Sequence, residues 1–312
     1  MLKTVFVKEL GRAVSCLGIG SMIFSPERKG LVFELLDRFR EHGGNLIDTA
    51  EVYGGGKSEA AIGLYMAERG CRADWVILDK GCAAVSLVTP ENIRKAIAGN
   101  LQRLGTDYLD LWLAHRDNPA VPVGDIVETL NDEVARGRIR AFGGSNWTVA
   151  RIREANEYAA RKGLRGIAVS SPHVCLATAA EPFWPDCTQA SEADIAWHAA
   201  SGVPLIAWSS QGRGFFLDSS GPDDPSTDLR RVYHPIPGNF EKLSRARALA
   251  RAKGLTTVQV ALAWVLSLRA PIAALVGPAT IAEVDSCAAA AQVKLSEAEI
   301  AWLELRSAEP VA

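Results

Sequence analysis

The sequence has no cluster of basic residues and no long apolar run. Its 34 Lys and Arg residues are spread along 312 positions and are balanced by 36 Asp and Glu residues, for a formal net charge of -2. Nucleic acids and anionic lipids are bound by clustered cations, so neither is an expected partner. No apolar run reaches about 18 residues, and the N-terminus lacks the apolar core and cleavage site of a secretory signal. We therefore expect no membrane partner and a cytoplasmic location.

Two common cofactor signatures are also missing. The six cysteines are scattered, and no C-x-x-C pair occurs among them. This spacing predicts no metal site and favours free thiols in a reducing compartment. A G-x-G-x-x-G turn is absent as well: Gly18-Ile19-Gly20 begins like one, but Ile23 stands where the third glycine is needed. The sequence therefore does not indicate a doubly wound dinucleotide-binding sheet.

Short apolar runs alternate along the chain with longer segments of helical period. Eight strands are predicted at residues 15–20, 45–49, 75–80, 109–114, 139–143, 166–170, 204–209 and 272–276. Helices are predicted at 31–41, 58–68, 90–104, 123–136, 148–161, 191–199, 240–253 and 257–268. This pattern predicts a single (β/α)8 TIM barrel domain over residues 1–312, with catalytic groups on the loops that follow the strands.

The first dozen residues and two long loops add to this barrel. Val5, Val7 and the turn Glu9-Leu10-Gly11-Arg12 predict an N-terminal β-hairpin that closes the bottom of the barrel. The segments 177–190 and 211–239 are long and rich in Pro, Asp and Gly. Loops of this length in a compact domain are commonly binding loops.

Four polar residues lie at or just beyond the ends of predicted strands. Asp48 and Lys80 lie near the ends of the second and third strands, His115 follows the fourth, and Tyr53 lies five residues beyond Asp48. The C-terminal ends of barrel strands meet at one rim, so we expect the four side chains to converge. Singly, each residue type has an ordinary role in turns, packing or ion pairs, and only the joint pattern indicates chemistry.

This group of residues suits carbonyl reduction. Hydride addition to a carbonyl carbon leaves negative charge on oxygen, and a tyrosine hydroxyl can supply the proton. We predict that the Lys80 ammonium lowers the pKa of Tyr53 below its ordinary value near 10. Asp48 would hold Lys80 by an ion pair, and His115 would donate a hydrogen bond to the substrate oxygen.

Lys80 and five segments of the chain resemble the aldo-keto reductase superfamily: NLIDTAEVYGGGKSEAAIG, RLGTDYLDLWLAHR, IRAFGGSNW, AWSSQGRGFF and ALVGPATIAEVDS. The resemblance covers nearly the whole chain. It implies a (β/α)8 barrel that binds NADP or NAD in an extended form, with a catalytic tetrad of Asp48, Tyr53, Lys80 and His115. The implied reaction interconverts an aldehyde, ketone or sugar and its alcohol by direct hydride transfer, with Tyr53 as general acid and base.

The resemblance also implies positions that contact the cofactor. Ser145 and Asn146 stand where the family binds the nicotinamide carboxamide, and Trp208 stands where an aromatic ring stacks on the nicotinamide. Ser171 takes the place of a frequent third carboxamide ligand, a glutamine. The residues implied at the pyrophosphate are Ser209, Gln211, Gly212 and Arg213, and those implied at the adenosine are Gly277, Ala279, Thr280 and Glu283.

The adenosine segment departs from the pattern of NADPH-preferring relatives. Those relatives supply a lysine or arginine to the 2'-phosphate, where this chain has Gly277, Ala279 and Glu283. A carboxylate repels a phosphate dianion, whereas it accepts hydrogen bonds from ribose hydroxyls. The sequence therefore leaves both NADP and NAD open as cofactors.

The implied substrate is a small carbonyl or alcohol, sugars included. Candidate walls of its site are the aromatic residues Phe24, Trp147, Phe183, Trp184 and Phe216, which can stack on a ring or a sugar face. Two alternatives remain open. One is a cofactor-binding barrel that serves as a regulatory subunit with little turnover, and the other is a Schiff-base lyase with Lys80 as nucleophile.

Overall fold

The chain begins with a β-hairpin in the computed structural model, which describes residues 1–309 and 311. Strands β1 (Thr4–Val7) and β2 (Arg12–Ser15) pair antiparallel, as predicted. Val7 and Val14 point into the apolar cluster that fills the barrel interior. The hairpin therefore covers the N-terminal end of the barrel, opposite the ends where the strands stop.

A closed barrel of eight parallel strands forms the centre of the structure. Its strands are β3 (Leu17–Gly20), β4 (Leu46–Asp48), β5 (Val76–Gly81), β6 (Leu109–Ala114), β7 (Ile139–Ser145), β8 (Val169–Ser171), β9 (Leu205–Ala207) and β10 (Ile272–Val276). Each strand pairs with the next in the chain, and β10 pairs with β3 to close the ring. The predicted (β/α)8 architecture is confirmed.

Helices surround the barrel. They are α1 (Lys29–Glu41), α2 (Lys57–Arg69), α3 (Pro90–Leu104), α4 (Val123–Ala135), α5 (Val149–Lys162), α6 (Glu192–Ser201), α7 (Thr227–Val232), α8 (Gly238–Lys253), α9 (Thr257–Leu266), α10 (Ile281–Ala290) and α11 (Glu297–Leu303). Helices α7, α10 and α11 lie outside the eight predicted helix ranges. Across residues 1–309 and 311, no helix is long and apolar enough to cross a membrane.

The first barrel strand begins later than the sequence predicts. Ser15 pairs with Thr4 and so belongs to the hairpin. At Cys16 the backbone changes partners: its N–H still donates to Lys3 in the hairpin, while its carbonyl accepts from Ala274 of β10. A continuous apolar run therefore spans two strands, which hydrophobicity alone cannot separate.

Alternation along the strands separates two apolar layers. Leu111 and Leu113 of β6 point into the barrel interior. Trp112 points outward beneath α3 and donates from Nε1 to Oδ1 of Asn100 at 2.9 Å. Because the same alternation continues past the end of β6, it directs His115 towards the interior side at the C-terminal rim.

Candidate active site

Three of the four polar residues predicted to act together lie at the ends of adjacent strands. Asp48 is the last residue of β4, Lys80 is the penultimate residue of β5, and His115 follows β6 directly. Tyr53 begins a short helical turn, Tyr53–Gly56. Its three glycines, 54 to 56, have φ values of 59°, 65° and 90°, in the left-handed region where glycine carries no steric penalty. The glycine run thus permits the tight turn that follows Tyr53 and leads into α2.

Asp48 and Lys80 form a buried ion pair. Nζ of Lys80 lies 2.5 Å from Oδ1 of Asp48 and donates a second hydrogen bond to the Thr49 carbonyl at 2.8 Å. Burial by itself would lower the pKa of Lys80, but the charges of Asp48 and Tyr53 outweigh it and raise that pKa. Lys80 is therefore an ammonium at neutral pH.

Tyr53 lies near both Lys80 and His115. Nζ of Lys80 is 5.2 Å from the centre of the Tyr53 ring, and the His115 ring meets it edge-on at 6.2 Å between centroids. Desolvation raises the pKa of Tyr53 to about 12, although the charge of Lys80 acts in the opposite direction. The predicted net lowering of this pKa is therefore wrong, because burial outweighs the ammonium.

His115 is held in its neutral form. Desolvation, with smaller contributions from Lys80 and Arg116, lowers its pKa well below the ordinary value. Its Nδ1 is buried and has no hydrogen-bond partner among the residues that the structure describes. A neutral imidazole can donate one hydrogen bond without carrying charge, which is the role predicted for it.

The predicted carboxamide ligands lie beside His115. Asn146 has a left-handed backbone, with a φ of 63°, and its Nδ2 donates to the His115 carbonyl at 3.2 Å and to Oγ of Ser145 at 3.1 Å. Oγ of Ser145 donates to the Ser171 carbonyl at 3.1 Å. The Ser171 hydroxyl donates to the Ile206 carbonyl at 2.8 Å, which leaves only its lone pairs for a ligand.

Trp208 has an aromatic partner that the sequence did not reveal. The His173 ring stacks on it at 4.7 Å between centroids, with an interplanar angle of 24°. Nε2 of His173 lies 3.1 Å from the Tyr233 hydroxyl, which lies 3.3 Å from Sγ of Cys175. These contacts hold the His173 ring against Trp208. No sequence pattern predicts the contacts, because the residues that make them lie far apart in the sequence.

The loop after β9 approaches α10. Ser209 and Arg213 have φ values of 54° and 51°, a conformation that costs energy for residues other than glycine and is concentrated at functional sites. Nε2 of Gln211 donates to Sγ of Cys287 in α10 at 3.4 Å. The loop that contains Gly212 and Arg213 is thereby anchored next to the segment predicted to bind adenosine.

Glu283 lies in the first turn of α10, and Gly277 follows the last residue of β10. Thr280 caps this helix by accepting from the Glu283 N–H at 3.2 Å. The Glu283 carboxylate accepts in turn from the Ala279 N–H at 2.6 Å. A carboxylate therefore occupies a position where the free N–H groups of a helix start would otherwise attract phosphate.

The five predicted aromatic walls differ in exposure. Phe24 and Phe216 are buried in the core, with exposed fractions of 2% and 0%. They present no surface to a substrate in this structure, because neighbouring core residues cover them. Trp147 is also buried and donates from Nε1 to the Arg116 carbonyl at 2.9 Å. Trp184 is exposed, and the Arg213 guanidinium lies 4.6 Å from its ring and 4.9 Å from the buried ring of Phe183.

These residues fit a nicotinamide dinucleotide. Trp208 is partly exposed, and Ser145 at the end of β7 and the following Asn146 carry a hydroxyl and an amide. The turn Gly212–Gly214, with its left-handed Arg213, contains backbone N–H groups and a cation, which are groups that bind phosphates.

Comparison with known proteins connects this geometry to one family. The model of the Aldo/keto reductase family matches residues 16–305. The norsolorinic acid reductase of Aspergillus flavus is 29% identical, over 96% of this chain and 79% of that protein. The aryl-alcohol dehydrogenase of Pestalotiopsis microspora is 29% identical, over 76% of this chain and 62% of that protein. A crystal structure of an aldo-keto reductase from Klebsiella pneumoniae in complex with NADPH superposes with a TM-score of 0.77, at 25% identity, over 100% of this chain and 97% of that one.

Proposed function

The chain belongs to the aldo/keto reductase family, and on that premise we propose that it interconverts a carbonyl compound and its alcohol with NADP(H) or NAD(H). The observation that carries the proposal is the convergence of Tyr53, Lys80 and His115 at the rim, beside a buried Asp48. The relative named as an aryl-alcohol dehydrogenase and the neighbour in complex with NADPH support the same reaction class.

The tetrad divides the chemistry among its members. When bound, the reduced nicotinamide supplies a hydride to the carbonyl carbon. The Tyr53 hydroxyl gives its proton to the carbonyl oxygen and takes it back in the reverse direction. The neutral His115 donates a hydrogen bond that orients this oxygen. The Lys80 ammonium, fixed by Asp48, stabilises the negative charge that develops on Tyr53.

The state of Lys80 argues against a Schiff-base lyase. A lysine must lose its proton before it attacks a carbonyl, and such lysines have a lowered pKa. The charges around Lys80 instead raise its pKa, and its ammonium is bound by Asp48 and by the Thr49 carbonyl. We therefore assign Lys80 an electrostatic role.

Turnover of a carbonyl panel tests the proposal. The purified protein should oxidise NADPH or NADH, followed by near-UV absorbance, when aldehydes and ketones are added. Quenching of tryptophan fluorescence by the cofactor without turnover of any carbonyl would instead support the regulatory-subunit alternative. A substrate adduct trapped on Lys80 by borohydride would support the lyase.

Glu283→Arg should shift the cofactor preference towards NADPH. The substitution replaces a carboxylate at the start of α10 with a cation that can form a charge-assisted hydrogen bond with the 2'-phosphate. Such bonds contribute about 1.5 to 3 kcal/mol, so the ratio of NADPH to NADH affinity should rise about tenfold or more. Fluorescence titration with both cofactors measures the ratio.

Glu283→Gln is the matched control. Its amide oxygen can still accept from the Ala279 N–H, while the negative charge is removed. We expect the ratio to rise less than in the arginine variant, by relief of repulsion alone. An unchanged ratio in both variants would mean that Glu283 does not face the adenosine ribose.

A further inference from the structure

Two acidic side chains lie against each other on the outer side of the strand that carries Lys80. Asp79 precedes Lys80 in β5, and alternation directs it outward, away from the barrel interior. Glu59 lies in the first turn of α2. Both side chains have an exposed fraction of 0%, and their carboxyl groups are within hydrogen-bonding contact of each other. The reaction proposed above assigns no role to either residue.

The hydrogen-bond partners of the two carboxyl groups differ. The oxygens of Glu59 accept from Nδ2 of Asn100 at 2.8 Å and from Nε and Nη2 of Arg103 at 2.6 and 3.0 Å. Such a set of donors, a guanidinium included, stabilises a carboxylate. Oδ1 of Asp79 accepts from the Lys80 N–H at 2.7 Å, but Oδ2 has no partner among the residues that the structure describes. Glu59 is therefore the ionised member of the pair, and Asp79 is the member that can hold a proton.

The contact between the two carboxyl groups requires such a proton. Two carboxylates side by side in the core repel each other, whereas a carboxylic acid donates a strong hydrogen bond to a carboxylate. Desolvation, followed by the charge of Glu59, raises the pKa of Asp79 well above its ordinary value, although Lys80 acts in the opposite direction. Arg103 on α3 and Tyr53 also sense the charge of Asp79. The contact is therefore stable when Asp79 keeps its proton.

This contact joins the segments that carry two residues of the tetrad. On one side, Asp79 accepts from the backbone N–H of Lys80. On the other side, Glu59 belongs to the helix that directly follows the turn Tyr53–Gly56. A Cβ added to the last glycine of that turn would lie 3.6 Å from Oε2 of Glu59, so the turn packs against this side chain. Loss of the contact would therefore loosen the segment of Tyr53 from the strand of Lys80.

We propose that Asp79 keeps its proton at neutral pH and donates it to Glu59, and that this bond makes Asp79 a positioning residue for Lys80 and Tyr53. The positioning part of the inference rests on the proposed function. The proton also keeps Asp79 neutral. A negative charge there would add to the desolvation that raises the pKa of Tyr53, and Tyr53 would become a weaker proton donor.

Asp79→Asn tests for the proton by its effect on stability. The amide can still donate to Glu59 and accept from the Lys80 N–H, but it has no carboxyl proton to lose. The unfolded chain releases the Asp79 proton at about pH 4, whereas the folded protein keeps it, so a rise in pH should favour unfolding of the wild type. We expect the unfolding equilibrium constant of the wild type, divided by that of the variant, to rise about tenfold per pH unit from about pH 5 to pH 7. Urea denaturation at each pH measures both constants.

Asp37→Asn is the matched control. The side-chain bond from Arg69 lowers the pKa of Asp37, so the folded and the unfolded chain have both released this proton by about pH 5. The corresponding ratio should stay flat over the same range. A flat ratio for Asp79→Asn as well would mean that Asp79 is ionised in the folded protein, and it would overturn the inference. This test needs no substrate, so its outcome does not depend on the proposed function.

Turnover of two variants tests the positioning role. Asp79→Leu removes both the donor and the acceptor, and it should lower kcat/KM for an aldehyde about tenfold or more with little change in cofactor affinity. Asp79→Asn retains both groups and the absence of charge, so it should keep kcat/KM within about threefold of the wild type, with an unchanged pH profile.

The two variants also distinguish the possible failures. Wild-type turnover in Asp79→Leu would overturn the positioning role. Lost turnover or a shifted pH profile in Asp79→Asn would show that the carboxylate charge itself is needed, and it would overturn the inference whether or not Asp79→Leu folds. A wild type that reduces no carbonyl would instead overturn the proposed function.

Discussion

Tyr53→Phe should lower turnover at least about 10²-fold while cofactor affinity stays within a few-fold. The variant keeps the ring, which lies 5.2 Å from Nζ of Lys80, and removes only the hydroxyl. General acid catalysis contributes roughly 10² to 10⁴ in rate, which sets the size of the expected loss. Initial rates with a reducible aldehyde and fluorescence titration with the cofactor measure the two quantities separately.

Tyr158→Phe provides the control for loss of a tyrosine hydroxyl. Tyr158 lies on α5, and its hydroxyl donates to Oε1 of Glu128 on α4. Neither residue belongs to the predicted tetrad. Turnover of this variant should match that of the wild type. Full turnover in Tyr53→Phe would remove Tyr53 from the role of general acid, whatever the control shows.

The pH dependence of reduction provides a second test of Tyr53. Desolvation raises its pKa to about 12, so the protonated form that donates to the carbonyl predominates at neutral pH. Reduction should therefore not decline between about pH 6 and pH 9 through loss of this proton. The reverse oxidation needs the deprotonated form and should become faster as the pH rises.

Two simple regularities allow the sequence to place three of the four predicted tetrad residues. Parallel barrel strands end at one rim, and alternation decides which side chains face inward, so Asp48, Lys80 and His115 follow from strand assignments alone. The alternation of side chains along a strand stays the same when a predicted strand boundary is wrong by one or two residues. The first strand was misassigned at Ser15, yet Asp48, Lys80 and His115 lie at the strand ends where they were expected.

Properties that depend on surroundings could not be predicted in this way. The direction of the Tyr53 pKa shift results from desolvation by residues distant in sequence, and the stacking of His173 on Trp208 joins two separate loops. The burial of Phe24 and Phe216 likewise depends on how loops fold over the rim. Helix α7 lies within a segment whose Pro, Asp and Gly content favours a loop, and tertiary packing of Leu229 and Val232 overrides that local preference.

Lys80→Met should abolish turnover and also destabilise the fold, because it leaves Asp48 buried without its partner. Removal of one member of a buried ion pair costs about 3 to 5 kcal/mol. Burial already raises the pKa of Asp48, and the Lys80 ammonium is what opposes this rise. Urea denaturation at fixed pH, analysed by linear extrapolation, measures the loss of stability.

The double variant Asp48→Asn, Lys80→Met identifies the cause of this loss. It contains no unpaired charge, so its stability should recover most of the difference while turnover stays abolished. The cost of Lys80→Met should also depend on pH. An Asp48 pKa raised above its unfolded value means that the folded state binds the proton more tightly, so stability is retained at low pH and lost as the pH rises. Lys80→Met should therefore cost less at pH 5 than at pH 8. A cost that is equal at both pH values, and equal in the double variant, would assign the loss to packing around the Lys80 side chain and not to the unpaired carboxylate.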